Sequence, residues 1–454
     1  MIKKIFYTIL TCLAIVSCTK GDLSNNNENS DTQYEAKSYL KYIMDEIYYW
    51  SDSNNPEVNS IGIDIFEYFN RLLAHQDRWS WMETGKEYNE SETGIYTSYG
   101  AALGQAIEYY GDYDVKIRYV FKNSPFDKAG VKRGWTITAI NNTDIMTLIR
   151  EDLFYKIYNQ GTNTFTFRNL DGETITKTIT PELINTRSVL STQVFTNNEV
   201  PNLPHPVGYL NYYTFNNNMT SDISEAIDLF NKSGIKDLIL DLRYNGGGSA
   251  EACAFLANSI APASANGKIL SKRRHNSKYS DWDERYDSIE YINRNANALD
   301  LSRLYIISGE GTASASEIII NGLSPFMEII QVGDTTYGKP NGMYVFAYPE
   351  EQYETADYIF LPICFYSVNA NGVGDYENGI YPTNYRPDDL YHDFNENEDL
   401  IKSCLYNIIN GSFPDLPSIK THSTKGNLTK GNKYRINQPN DNPNYGKYVA
   451  LPLK

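Results

Sequence analysis

The sequence predicts an α/β domain preceded by a helical segment, with a β-rich domain inserted between the two. Three observations predict it. After Val207, short apolar runs of strand length alternate with stretches of helical periodicity, as in strands joined by crossover helices. Between about Ser91 and Thr186 the apolar period is close to two. From Tyr34 to Trp50, Leu40, Ile43, Met44 and Ile47 recur at helical spacing. The 454 residues leave room for about three domains of roughly 150 residues each.

The first residues read as a targeting signal. Lys3 and Lys4 form a basic start, and Ile5 to Val16 form an apolar run too short to span a membrane as a mature helix. Ile15-Val16-Ser17-Cys18 resembles a bacterial lipobox, which implies cleavage before Cys18 and a lipid on its thiol. Thr19 to Thr32 is polar and rich in Asn and Ser, as suits a flexible tether. Export with anchoring to a bacterial membrane in the cell envelope is the expectation.

After the helix that ends near Trp50, Asp64 caps a second one carrying Ile65, Phe66, Phe69, Leu72 and Leu73. This small helical module ends near Asp77-Arg78-Trp79-Ser80. In the β-rich part, Val115, Ile117, Tyr119 and Phe121 alternate with polar residues, and a strand is expected at Thr136 to Ile140. Asn123-Ser124-Pro125 to Gly130, then Gly134-Trp135 and the turn at Asn141-Asn142, resemble the PDZ pattern. Trp135 stands where that pattern has Asp, and Asn142 where it has Gly. A PDZ-like fold implies a strand edge that pairs with an extended peptide.

In the last domain, strands are expected at Val207–Tyr213, Lys236–Leu242, Arg303–Ile307, Glu328–Val332 and Met343–Phe346. Helices are expected at Asp222–Ser233, stopped by Gly234, and after Ser249. The tail from about Ser418 to Lys454 is rich in Asn, Lys, Thr and Pro, with weak periodicity.

Hydrophobic residues make up 41% and charged residues 21%, a globular composition. Lys and Arg number 40 against 56 Asp and Glu, a net charge of −16. That balance, with no sizeable basic patch, argues against nucleic acid as a partner. Cys253, Cys364 and Cys404 lack CxxC spacing and are odd in number, so buried thiols are expected rather than a disulfide framework or a metal site.

Three stretches carry chemistry. Asp241-Leu242-Arg243-Tyr244-Asn245-Gly246-Gly247-Gly248-Ser249 is a strand breaking into glycines before a helix, where backbone N–H groups can turn toward an anion. Gly311-Thr312-Ala313-Ser314-Ala315-Ser316-Glu317 places serines at a strand-to-helix junction, where a cap and a nucleophile look alike. Gly333 to Lys339 satisfies most of a P-loop expression, but Pro340 follows where Ser or Thr should hold magnesium, so nucleotide binding is not expected. The five histidines, His75, His205, His275, His392 and His422, sit in no motif and are expected on the surface or in satisfied core positions.

Taken together these stretches resemble the C-terminal processing (tail-specific) peptidases. That family has a lysine twenty-five residues after the serine of its Ser-Ala-Ser-Glu motif, and Lys339 stands in that relation to Ser314. Asp241-Leu242-Arg243 with Asn245, Gly247 and Gly248, and Gly379-Ile380 with Pro382, match two further elements. The resemblance covers roughly residues 35–415. It implies a crotonase/ClpP-like α/β spiral as the catalytic domain and a serine-type endopeptidase of the cell envelope. Ser314 would be the nucleophile and Lys339 its general base, with Gly247 and Ala315 N–H groups as the oxyanion hole. Polypeptides, in extended or C-terminal segments, would be the substrates, and no metal or cofactor is implied. Some members place Asp eleven residues after the serine, where this chain has Pro325. Others place Gln four after the lysine, where it has Met343, so no third orienting residue is assigned. The alternative is a non-catalytic envelope lipoprotein that binds peptides or glycans on the same fold. The expected order is signal 1–17, tether 18–33, helical segment 34–90, PDZ-like domain 91–186, catalytic domain 187–417 and tail 418–454.

Overall fold

The computed structural model describes residues 33–415, apart from 54–57, 105, 110–111, 160 and 351–352, together with 433–434 and 448–450. Cys18, the signal and most of the tether and tail lie outside the described residues. At the centre is a six-stranded sheet in the order Val189–Phe195, Val207–Tyr212, Asp237–Asp241, Arg303–Ser308, Glu328–Gly333 and Asn384–Tyr385. The first pair is antiparallel and the rest are parallel. Such strands read as continuous apolar runs because both faces are covered, and alternate residues show which cover each takes. Leu238, Leu240, Leu304 and Ile306 pack with Ile223, Ile227 and Phe230 of the helix Thr220–Ser233 and with the helices Ala250–Ile260 and Ala315–Leu323. Ile239, Tyr305, Ile307 and Val332 turn the other way, onto Leu400, Ile401, Cys404 and Leu405 of the helix Asp399–Asn410. Gly234 ends its helix in the left-handed conformation, as expected of that stop.

The helical segment has no core of its own. Leu40, Ile43, Met44 and Tyr48 of Tyr34–Glu46 and its exit, and Phe69 and Leu72 of Ile65–Leu72, join the cluster that contains Leu240 and Ile306. The segment also runs on past Ser80, into a strand Trp81–Glu83 and a helix Gly85–Thr93. Trp81–Glu83 pairs with Tyr358–Leu361, which pairs in turn with Phe346–Tyr348. Three residues carry too little apolar periodicity for a strand to be recognised without its partner.

A second six-stranded sheet includes Asn341–Tyr344, Ile363–Val368 and Ile269–His275. Here the tail departs from the sequence expectation, because Tyr448–Ala450 enters this sheet between Gly248–Ser249 and Asn341–Tyr344, parallel to both. Long-range pairing, not local pattern, makes that strand. The expected strand at 343–346 is likewise two, interrupted at Val345.

The β-rich region has its own core, formed by Tyr99, Val115, Ile117, Phe126, Ile137 and Phe165 among others. Strands Ile95–Ser98 and Glu182–Asn185 pair antiparallel where the chain enters and leaves it. Arg133 ties this domain to the α/β domain, donating to Tyr244 Oη at 2.6 Å and pairing with Asp388 at 3.1 Å. Asp388 also pairs with Arg243 at 3.0 Å. Burial would raise the Asp388 pKa, but Arg133 and Arg243 outweigh it and hold the carboxyl well below its usual range.

Among the described residues no helix is long and apolar enough to cross a membrane. Cys253, Cys364 and Cys404 are buried thiols.

Candidate active site

Three neighbouring parallel strands, Asp237–Asp241, Arg303–Ser308 and Glu328–Gly333, deliver their carboxyl ends to one edge of the sheet. The loops after them are the three chemistry-bearing stretches, so topology brings together what the sequence left 25 to 100 residues apart; ligands of open α/β sheets bind at that edge. Hydrogen bonds stitch the loops to one another. Thr312 Oγ1 donates to Leu242 O at 2.7 Å, Ser316 Oγ to Asn245 O at 2.9 Å and Tyr337 N to Thr312 O at 2.8 Å.

Ser314 stands before the helix Ala315–Leu323 with φ +60° and ψ −113°, a backbone conformation that costs a non-glycine residue about 1–3 kcal/mol. Its side chain is fully buried, and its Oγ has no hydrogen-bond partner. Helix capping therefore does not account for the hydroxyl. Ala315 occupies the first helical position, so its N–H lies outside the intrahelical ladder.

Lys339 is also buried, 1% exposed. Its Nζ lies 3.7 Å from Met343 Sδ and 5.0 Å from the centre of the Trp81 ring. Gly338 before it has φ +84°, and a Cβ there would meet Glu377 O at 2.2 Å. The Gly333–Lys339 stretch leads into the strand Asn341–Tyr344 rather than a helix, so it lacks the helix N-terminus of a P-loop.

The residue that sequence reasoning missed is Glu317. It is fully buried, and its Oε2 accepts from Ser314 N and Lys339 N, each at 2.8 Å. Its Oε1 accepts from Gly338 N at 2.8 Å and from Thr336 Oγ1. One carboxylate thus fixes the main chains of Ser314 and Lys339 to each other. Burial pushes its pKa above the ordinary value, while the four hydrogen bonds pull it back down. Glutamate three residues after a candidate cap was the available signal, but that pattern reads as a capping box.

Under the glycine loop, Arg243 is buried against Asp241 at 2.8 Å and against Glu398. Asn245 Nδ2 donates to Tyr212 O, and its Oδ1 accepts from Gly247 N, both at 2.9 Å. The Gly247 N–H expected at the oxyanion is therefore engaged by Asn245 in this conformation. Gly248 has φ +136°, and a Cβ on it would lie 2.1 Å from Phe215 O. Gly248→Ala is expected to displace the loop and lower the thermal unfolding midpoint while the transition stays cooperative; calorimetry checks this.

The described histidines lie elsewhere. His275 is buried between Asp283 and Tyr344 Oη, each at 2.8 Å, while His392 faces Asp389 and His205 faces Asp237. None of those described bonds Ser314 Oγ. Beside Gly338 a cleft of about 580 Å³ is lined by Trp50, Arg78, Tyr337, Tyr366 and Glu377. Arg78 donates there to Gly338 O at 3.2 Å and to Glu377 O at 2.7 Å.

Residues 206–360 match the model of peptidase family S41. A Staphylococcus saprophyticus protein described as a CtpA-like serine protease is 24% identical over 318 residues, 69% of this chain and 58% of its own length. A Staphylococcus aureus protein of the same description is 24% identical over 64% of this chain and 53% of its own. The chain thus spans somewhat more than half the length of these relatives. A Bacteroides fragilis crystal structure assigned to the S41 proteases superposes with a TM-score of 0.67 at 22% identity, covering 87% of this chain and 99% of that one. The photosystem II D1 C-terminal processing protease gives 0.50 at 18%, covering 78% and 93%. At these identities the two structures show that the fold is shared.

Proposed function

We propose that this chain, which carries a peptidase family S41 domain at residues 206–360, is a serine endopeptidase working through Ser314 and Lys339. The observation that carries the reading is the Glu317 carboxylate, which binds the Ser314 and Lys339 N–H groups at 2.8 Å each. A buried serine without a hydrogen-bond partner, on a strained turn beside a buried lysine, is an arrangement that helix capping alone does not require.

Lys339 Nζ takes the proton of Ser314 Oγ as the oxygen attacks the scissile carbonyl. Such a base must be a neutral amine at the moment of attack. Ser314 Oγ and Lys339 Nζ are not hydrogen-bonded before substrate arrives, and catalytic hydrogen bonds commonly tighten only then. The tetrahedral oxyanion is held by the Ala315 N–H, joined by the Gly247 N–H when it leaves Asn245. Loss of one such donor costs about 100- to 1000-fold in kcat. Collapse expels the amine, which takes the proton from Lys339, and water then hydrolyses the acyl-enzyme by the same route.

The substrates are extended polypeptide segments, engaged with the help of the PDZ-like domain. The protein works in the cell envelope, held to the membrane by a lipid on Cys18. A serine-reactive fluorophosphonate tests the chemistry. Wild type should be labelled on Ser314 and should cleave unfolded casein, whereas Ser314→Ala and Lys339→Ala should lose cleavage. Labelling elsewhere, or tight peptide binding without turnover that survives Lys339→Ala, overturns the reading. Labelled acyl chains on Cys18 in cells, absent from Cys18→Ala, test the anchor.

A further inference from the structure

The cleft of about 580 Å³ is walled by Tyr337, two residues before Lys339. The Tyr337 N–H donates at 2.8 Å to Thr312 O, two residues before Ser314. Successive Cα atoms are about 3.8 Å apart, so a peptide attacked by Ser314 has a neighbouring side chain within reach of this cleft. We propose that the cleft is the subsite that selects a basic side chain, lysine or arginine, of the polypeptide substrate. Glu377 is the residue that sets the preference, and this inference rests on the Ser/Lys reading above.

The cleft already shows how it treats a cation. The Arg78 guanidinium lies over the rings of Trp79 and Tyr337, 4.8 and 5.2 Å from their centres. It donates to the carbonyls of Gly338 and Glu377. Trp50 and Tyr366, edge to face with centres 6.1 Å apart, and the Glu377 carboxylate are left for an incoming side chain. Glu377 is half-buried, and among the described residues its carboxylate has neither an ion pair nor a hydrogen bond. It lies within electrostatic reach of the Tyr366 hydroxyl, which burial first and Glu377 next push up to about 12. A partly desolvated carboxylate beside aromatic faces favours a cation by its charge and by the ring quadrupoles. An acidic side chain would be repelled by Glu377, and an apolar one would bury that carboxylate uncompensated. The net charge of −16 lets the chain take a second cation near Arg78.

A mixed peptide library digested by the full chain, with the new ends read by mass spectrometry, tests this. Lys and Arg should be enriched at one fixed position within about three residues of the cut, the reach of an extended segment. Between matched peptides with Lys or Met at that position, kcat/KM should favour Lys by about 10-fold. Glu377→Gln, which keeps the side chain's shape, should bring that ratio to about one, and Glu377→Lys should invert it. The ratio compares two substrates on one enzyme, so a general loss of folded protein does not move it. Enrichment of Asp or Glu drawn by Arg78, of aromatic residues, or of no residue at all would overturn the proposal. A Lys preference that persists in Glu377→Gln would do the same, and these results leave the dyad standing. Cutting that is absent in wild type, or that survives Ser314→Ala, would sink the dyad reading and this one with it.

Discussion

Replacing Glu317 by alanine is expected to abolish the peptide hydrolysis proposed for this site and to cost at least about 3 kcal/mol of stability. Three backbone N–H groups, those of Ser314, Gly338 and Lys339, would lose their acceptor in a site closed to water. Each stranded donor costs about 1–3 kcal/mol. Glu317→Gln is the sharper test because it keeps the volume. Each oxygen of Glu317 accepts two hydrogen bonds, so whichever end becomes the amide NH₂ must face donors. The Ser314 and Lys339 main chains then part, and a displacement of about 1 Å at reacting groups costs on the order of 100-fold. Hydrolysis by Glu317→Gln at the wild-type rate would show that the clamp is not needed. The pH dependence has a defined sign. With its folded-state pKa raised by burial, Glu317 holds its proton more tightly folded than unfolded. Its contribution to stability therefore falls as pH rises from the unfolded value through the folded one, and denaturation of the Gln variant should lack that slope.

Arg243→Met should produce the largest loss of stability from removing one charge, about 3–5 kcal/mol. The Arg243 side chain is 2% exposed, and those of Asp241 and Glu398 are fully buried. Burial drives the Glu398 pKa up while Arg243 opposes it, so removing the arginine leaves two carboxylates that must protonate or admit water. Arg243→Lys should recover little, because a single ammonium cannot reproduce the guanidinium fork that meets Asp241 and Glu398 together. Combining Arg243→Met with Asp241→Asn and Glu398→Gln should restore part of the loss. Denaturant midpoints decide, and full stability in Arg243→Met alone would contradict this account.

The parallel strands were legible in the sequence because burial on both faces writes a continuous apolar run, as in Asp237–Asp241. The capped helix Ile65–Leu72 and the stop at Gly234 were legible because caps are local chemistry. What escaped was whatever depends on a distant partner. Trp81–Glu83 and Tyr448–Ala450 are three-residue strands made by the chains beside them. At the site, Ser314 and Lys339 were named through the resemblance to the tail-specific peptidases, while Glu317 sat in the same motif without a role and Glu398 carried no signal at all. Asn245 was read as part of a glycine turn, and only geometry shows its side chain on the Gly247 N–H.

The contribution of the N-terminal segment to the site bears on when activity can begin during folding. Arg78 and Gly338, which meet beside Lys339, are 260 residues apart in the chain. Contacts of that span close late, because the entropy of ordering the intervening chain must be met before they reward it. A nascent chain halted before residue 339 has neither Lys339 nor the glutamate-clamped turn, and its early apolar helices await the sheet that covers them. Partly made molecules thus lack a complete site, which closes only after two segments 260 residues apart have met.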